Sequence, residues 1–357
     1  MPAQQTSPTL APHGSSQLPC VEVTSYNVEL KDQNGFVGDR ASKSAFAEIL
    51  EQWRKVLRKA GDDPLGKTPT EDISKKALDA VLTEGDTEAA GLLQGAIEDF
   101  AQELVTVIRR FQRLKDWRDS RRIAIGGGFR ASRVGEFAIG RASVLLKAEK
   151  ITIDLIPIRN HPDEAGLIGA IHLAPRWMFE GHEGILAADI GGSNIRAGLV
   201  ALNQKKAADL SKAGVEKMEC WRHADEKKVT RENAVARLAD MLKGLIDDAK
   251  KQGLKLAPFI GMGCPGLIAK DGTIERGAQN LPGKWEGEKF NLPQKLQAAI
   301  PTIGKHETAI VMHNDAVVQG LSELPIMTNV EHWGALTIGT GLGNAQFANR
   351  PMKMPRD

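Results

Sequence analysis

Three short apolar runs in this chain each empty into glycines, and that pattern narrows the fold more than any other feature. Residues 122–128 read Arg-Ile-Ala-Ile-Gly-Gly-Gly, Ile185–Ile190 leads into Gly191-Gly192, and Trp333–Ile338 closes on Gly339-Thr340-Gly341-Leu342-Gly343. An apolar run of about four to eight residues bounded by glycine is the pattern of a buried strand. Helical patterns separate these strands. Leu93, Ile97, Phe100, Leu104, Val107, Phe111 and Leu114 form one stripe stepping by four and three, and residues 45–60, 132–147, 231–252 and 162–173 also read as helices. Further strands are expected at 151–158, at 199–202 as an antiparallel neighbour of 185–190, at 257–263 and at 308–312. The lysine-rich stretch 203–230 reads as a solvated surface excursion. Strands alternating with helices, each strand feeding a polar or glycine loop, predict an α/β protein that places ligands at its strand ends.

Length and composition exclude several classes. At ~150 residues per domain, 357 residues suggest about two domains. Forty-seven basic against 45 acidic residues give a formal charge of +2, so no global field draws the chain to nucleic acid or to an anionic membrane. Cys20, Cys220 and Cys264 lack the paired spacing of a disulfide framework or a thiolate zinc site. No apolar run approaches the ~20 residues of a membrane helix. Residues 1–19 carry four prolines among Ser, Gln and Thr, which reads as a disordered tail rather than a signal peptide. The expected location is the cytoplasm.

One phosphate motif is misleading. Gly61-Asp-Asp-Pro-Leu-Gly66-Lys67-Thr68 matches the P-loop pattern letter for letter. The mechanism needs a strand before the loop and amides turned onto phosphate, but here a helix precedes it and Pro64 removes a donor. Two aspartates would also sit inside the anion cradle. Thr68-Pro69-Thr70-Glu71 fits a helix start better, with Thr68 as N-cap and Glu71 closing a capping box.

Other strand ends carry the chemistry. Asp189-Ile-Gly191-Gly192-Ser193-Asn194 places a carboxylate before two bare residues and two small polar ones. It can be a plain tight hairpin, or a loop whose amides meet a phosphate while Asp189 holds magnesium through water. Gly339, Thr340, Gly341 and Gly343 form a second loop of this kind, and Gly126-Gly127-Gly128 is bare backbone a flat nucleoside could approach. His313-Asn314-Asp315 follows the 308–312 strand. Asn-Asp commonly marks a turn, yet a strand-end pair of this kind also suits transfer to a hydroxyl, with Asp315 taking the proton and Asn314 orienting neighbouring hydroxyls. Cys264-Pro265-Gly266 and Asn280-Leu-Pro-Gly-Lys-Trp285 are loop punctuation or substrate walls, and Cys264 reads as structural.

In order along residues 184–350, Asp189–Gly198, Gly261–Gly266, Asn280–Trp285, His313–Asp315 and Gly339–Gly343 resemble the motifs of the ROK family, which groups repressors, open reading frames and sugar kinases within the actin, Hsp70 and hexokinase superfamily. The resemblance implies a two-lobed, ribonuclease H-like α/β fold. It also implies phosphorylation of a hexose or related sugar by ATP with Mg2+, with Asp315 as base, Asn314, Asn280 and Gly266 lining the sugar, and the glycine loops holding the nucleotide. The family's second half appears here placed first, in the helix 88–115, Gly126–Gly128 and Ala165–Ala170, as in a circular permutation. The expected division is then a tail at 1–19, part of the C-lobe at 20–175, the N-lobe at 176–315 and the rest of the C-lobe at 316–357. The family's Cys-rich zinc cluster and its Glu-x-Gly-His motif are missing. Gly38-Asp39-Arg-Ala-Ser42 resembles the segment after that cluster, so Asp39 is carried as a sugar contact. A non-catalytic sugar or nucleotide sensor and a polyphosphate-dependent sugar kinase are the rival readings. The tail offers no DNA-recognition helix, and a homodimer stays open.

Overall fold

A computed structural model describes residues 10–33 and 35–350. Ten strands build its two main sheets: β1 (Val21–Tyr26), β2 (Arg122–Gly126), β3 (Asp154–Pro157), β4 (Gly184–Ile190), β5 (Ile195–Ala201), β6 (Gly214–Trp221), β7 (Leu256–Cys264), β8 (Ala309–Asn314), β9 (His332–Ile338) and β10 (Leu342–Asn349). Among the described residues, eight α-helices accompany them: α1 (Lys43–Ala60), α2 (Lys75–Glu84), α3 (Thr87–Gln112), α4 (Arg133–Ala148), α5 (Pro162–Gly169), α6 (Arg231–Lys251), α7 (Leu292–Ala299) and α8 (Asp315–Leu321). The chain divides into two compact units. Of the described residues, the first holds 10–27, 163–331 and 345–350, the second 28–33, 35–162 and 332–344.

One sheet runs β6-β5-β4-β7-β8, with β4, β5 and β6 as an antiparallel meander and β7 and β8 parallel to β4. The other runs β1-β10-β9-β2-β3, with β2 and β3 parallel to β9 and β1 antiparallel to β10. Both sheets thus place a meander beside two parallel strands, which is the ribonuclease H-like order expected above. In the first sheet the strands follow one another in sequence. In the second, the meander's third strand, β1, comes from the start of the chain.

Every residue of β4 is buried, as befits a central strand covered on both faces. On one face, Leu238, Leu242 and Leu245 of α6 join Leu186, Ala188 and Ile190 in a common core. In the second unit the stripe of α3 (Leu93, Ile97, Phe100, Leu104 and Phe111) packs with Ile123 and Ile125 of β2. Asp86 caps α3 by accepting from the amides of Glu88 and Ala89.

Three expectations fail for identifiable reasons. The stretch 203–230 contains β6, a largely solvent-accessible edge strand that carries one of the stretch's lysines, Lys217, so the charge of the flanking loops hid it. Residues 10–19 are not a disordered tail: Leu18 is buried, and Gly14 donates to Met312 O at 2.9 Å. Residues 1–9 lie outside the described residues. No helix starts at Thr68. A single 3-10 turn spans Thr70–Asp72, and α2 begins after Ser74, whose side chain caps it.

Thr70, in the 3-10 turn found where the helix start was expected, is held by α1. Buried Arg54 of α1 donates to Thr70 Oγ1 at 2.8 Å, to Gly66 O at 2.9 Å and to Asp63 Oδ2 at 3.0 Å, while Thr70 Oγ1 donates to Glu51 Oε2 at 2.6 Å. The P-loop look-alike is therefore a loop wrapped around a guanidinium, with a helix before it. Replacing Arg54 by Leu should destabilise the protein by ~2 kcal/mol or more, because Asp63 loses its buried partner and keeps only Arg58. Lys67→Ala, at an exposed position, should stay within ~0.5 kcal/mol of wild type. Urea denaturation midpoints check both; equal midpoints for Arg54→Leu and wild type would refute the clasp.

Candidate active site

The parallel strands β4, β7 and β8 end side by side, and register fixes what stands there. Asp189 of β4 pairs with Gly263 of β7, Gly263 with His313 of β8, and Cys264 with Asn314. A Cβ built on Gly263 would lie 3.3 Å from Asp189 Oδ1 and 3.5 Å from the Asp315 Cα. The bare Gly263 backbone thus stands against two carboxylate-bearing residues, with the Val318 Cβ 3.4 Å from the same point.

Asp315 opens α8, and its Oδ1 accepts from the Ala316 amide at 3.0 Å. The residue is half-buried while its carboxyl sits deep, so burial and then the charge of Asp189 raise its pKa to about 7. Asp189 is buried, which pushes its pKa up, and Arg196 opposes that shift from the facing position on β5. Arg196 bridges Asp189 Oδ2 at 3.2 Å and Asp163 Oδ1 at 2.6 Å. Burial also raises the Cys264 thiol, helped by Asp315 and Asp189, so it stays neutral and serves packing. Arg196 thus serves Asp189 and Asp163, while the Asp315 carboxyl accepts from the Ala316 amide. Asp189 and Asp315 are hard oxygen donors of the kind a magnesium ion takes, one or two protein carboxylates with water and phosphate completing its shell. No group of three or more His, Cys, Asp or Glu side chains that could hold a metal ion exists among the described residues.

The turn after β4 is held from outside. Gly191 N donates to Asn194 O at 2.8 Å, His223 Nε2 bonds to Gly191 O at 2.9 Å and Ala224 N donates to Ser193 O at 3.2 Å. Among the described residues, the amides of Gly192 and Ser193 donate to no backbone carbonyl. Asn280 is exposed beside this turn, its Cβ 3.0 Å from where a side chain on Gly192 would begin. Asn314 is almost fully engaged by the fold: its Oδ1 accepts from Ala316 N and Val317 N, and its Nδ2 donates to Gly266 O at 3.0 Å. Gly266 itself has φ +103°, and a Cβ there would meet Arg276 O at 2.5 Å, so it shapes the loop that receives Asn314.

The remaining glycine loops belong to the second unit, where β9 and β2 run parallel with Thr337 opposite Gly126. Both loops therefore leave the same edge. Gly127 has φ +85° and its missing Cβ would fall 2.4 Å from Ile338 O, so the two backbones touch. Gly341 is exposed with nothing within 4 Å of where a Cβ would stand, whereas Gly339 O accepts from Lys43 N at 2.9 Å. Asp39 sits in the 3-10 turn Val37–Ala41, whose Gly38 packs on Leu342 of this loop. It thus stands with Gly339–Gly343, in the unit that does not contain Asp315.

Sequence reasoning missed Arg196, Asp163, Gly263 and His223. Arg196 was findable, because a tight hairpin centred on 192–193 puts residue 196 opposite 189. His223 reaches Gly191 only through the tertiary fold.

Comparison with known proteins agrees with the motif resemblance. Residues 185–353 match the family model of the ROK family. No curated protein matches the chain. Among solved structures, the Lmo2764 protein of Listeria monocytogenes is 22% identical with TM-score 0.34, over 46% of this chain and 47% of that one. The ROK hexokinase of Thermus thermophilus is 21% identical with TM-score 0.32, over 48% and 50%. The chain spans about half the length of the solved structures it matches. No helix among the described residues is long and apolar enough to cross a membrane.

The raised carboxylate has a thermodynamic signature. Asp315 ionises near pH 4 when unfolded and near 7 when folded, so its contribution to stability is full below pH 4 and lost as pH rises through 7. Asp315→Asn removes that liability and keeps the shape. Its gain in melting temperature over wild type should be larger at pH 8 than at pH 5, and a gain that shrinks with rising pH would contradict the shifted carboxyl.

Proposed function

We propose that this protein transfers the γ-phosphoryl group of ATP to a hydroxyl of a hexose or related sugar, with Asp315 as general base. The observation that carries this reading is the pair Asp189 and Asp315 flanking bare Gly263 at the ends of parallel strands, the second carboxyl poised near neutrality. A sugar hydroxyl is a poor nucleophile at neutral pH. As its oxygen bonds to phosphorus and the bond to the ADP oxygen breaks, the hydroxyl proton passes to the Asp315 carboxylate. Asp189 is the proposed holder of magnesium through water, which when bound offsets charge on the phosphates. Gly191, Gly192, Ser193 and Asn194 are one proposed phosphate loop and Gly339, Thr340, Gly341 and Gly343 a second, with Gly126–Gly128 as the proposed nucleoside contact. Asn280 and the Gly266–Asn314 wall are the proposed sugar contacts. Asp39, in the Val37–Ala41 turn whose Gly38 adjoins Leu342, is carried as a further proposed sugar contact.

The order of the chain is proposed to be a circular permutation of the family's. Its support is the pairing of Val21 with Asn349, the two ends of the split meander: a short turn between them would give β9-β10-β1-β2-β3 the sequential order of β4–β8.

Asp315→Asn should lower ADP release with the best sugar by at least ~10²-fold while nucleotide binding persists. Wild-type kcat/KM should rise with pH up to about 7, as the free base loses its proton. Turnover that survives the substitution rejects the base, and wild type inert toward every hydroxyl acceptor favours a sensor. Gly341→Val should weaken nucleotide binding by at least ~10-fold, since the open site accepts the side chain and the phosphate then meets it, whereas Lys67→Ala should leave affinity unchanged. Equilibrium dialysis with labelled ATP measures both, and the reverse pattern would move the nucleotide to the 61–68 loop.

A further inference from the structure

The strand that delivers Asp315 lies at the edge of its sheet, because β8 pairs only with β7 in the ladder. An edge strand presents a row of backbone donors and acceptors that need partners, and a loose edge is a poor platform for a positioned side chain. Here the last three residues of β8 are covered one by one. Met312 N donates to His13 Nδ1 at 3.1 Å, and Met312 O accepts from Gly14 N at 2.9 Å. Asn314 N, in the peptide that joins His313 to Asn314, donates to Nδ1 of His313 at 2.8 Å.

That last bond fixes the histidine's chemistry. With Nδ1 accepting, the ring proton belongs on Nε2, which points at Ser15 O 3.1 Å away and donates to it. The ring is fully buried and stacked edge-on against Tyr26, centroids 4.9 Å apart, and the Tyr26 hydroxyl is bonded to the backbone of Ile268. Burial also holds the imidazole pKa down at about 4, so it remains neutral at working pH. The segment cannot slide: Gly14 has φ +56° and a Cβ there would lie 2.1 Å from Ile268 O, while Leu18 is buried.

We propose that His313 is a positioning residue for Asp315, and that residues 13–18 form a strap which, through Ser15 O, locks His313 against the Asn314 amide. The proposal rests on the reading of Asp315 as the base. The strap fixes the His313–Asn314 peptide and so sets Asn314, whose side chain caps the helix that Asp315 opens. A misplacement of about 1 Å in such a group costs on the order of 10²-fold in rate, so the strap acts on turnover without touching substrate.

Two substitutions separate the two hydrogen bonds. His313→Asn keeps an acceptor as many bonds from Cα as Nδ1 and loses the reach to Ser15. His313→Gln keeps a donor at the place of Nε2 and loses the acceptor for Asn314. Gly14→Ala displaces the strap without altering β8. In the full-length protein, with saturating MgATP and the best acceptor, His313→Gln and Gly14→Ala should each lower kcat by at least ~10-fold with sugar KM within ~3-fold of wild type. His313→Asn should retain several-fold more kcat than His313→Gln. Amide hydrogen exchange over 309–318 should quicken in the same order. Unchanged kcat in both His313→Gln and Gly14→Ala, or equal kcat losses in the two His313 variants that merely follow melting temperature, overturns the proposal. If wild type turns over no acceptor, the kinase reading fails by itself. Exchange over 309–318 then decides the strap, and protection unchanged in His313→Gln refutes it.

Discussion

Everything at the candidate site depends on two carboxylates kept close together where water is scarce. Like charges at such separation resist joint ionisation, and the molecule answers with one guanidinium, a glycine between the strands and a carboxyl that holds its proton to about pH 7. Arg196 cannot serve both: it is bonded to Asp189 and Asp163, and Asp315 is left with backbone donors alone. The asymmetry assigns roles. The carboxylate with a permanent counter-charge is suited to stay ionised and hold a cation, and the one without is suited to trade a proton.

The strand ends were legible because buried strands announce themselves as apolar runs, and several such runs here empty into glycine or a carboxylate. Asp189, Gly126–Gly128 and Gly339–Gly343 came from that logic, and each lies where a parallel strand ends or turns. Asp315 came one step early: the expected strand stopped at Met312, but it continues through Asn314, which makes Asp315 the first residue of a helix. The strand β6 was illegible because its alternation is muted by Lys and Glu on an edge, and the residues near Thr68 misled because the next threonine, Thr70, is held in a 3-10 turn by Arg54 of α1 and the helix begins only after Ser74.

What stayed out of reach is of another kind. Nothing local in Pro12-His13-Gly14-Ser15 says that it covers a strand three hundred residues away, since the need it meets belongs to β8. His223 is similar, a ring whose partner is a carbonyl on a distant hairpin. Such contacts are set by the backbone groups that secondary structure leaves unpaired, and a sequence records the donor without recording the debt.

The pairing of Val21 with Asn349 has a consequence for how the protein is made. The sheet β4–β8 is encoded without interruption between residues 184 and 314 and can assemble as soon as that stretch has left the ribosome. The other sheet cannot. Its outer strand β1 and its parallel pair β2 and β3 emerge first and must wait for β9 and β10, which are synthesised last. During that interval the apolar stripe of α3 and the open edge of β2 have no finished sheet to pack on. Elements held in this state are exposed to aggregation, so the yield of native protein should be governed by how the early-made half is sheltered rather than by its final stability.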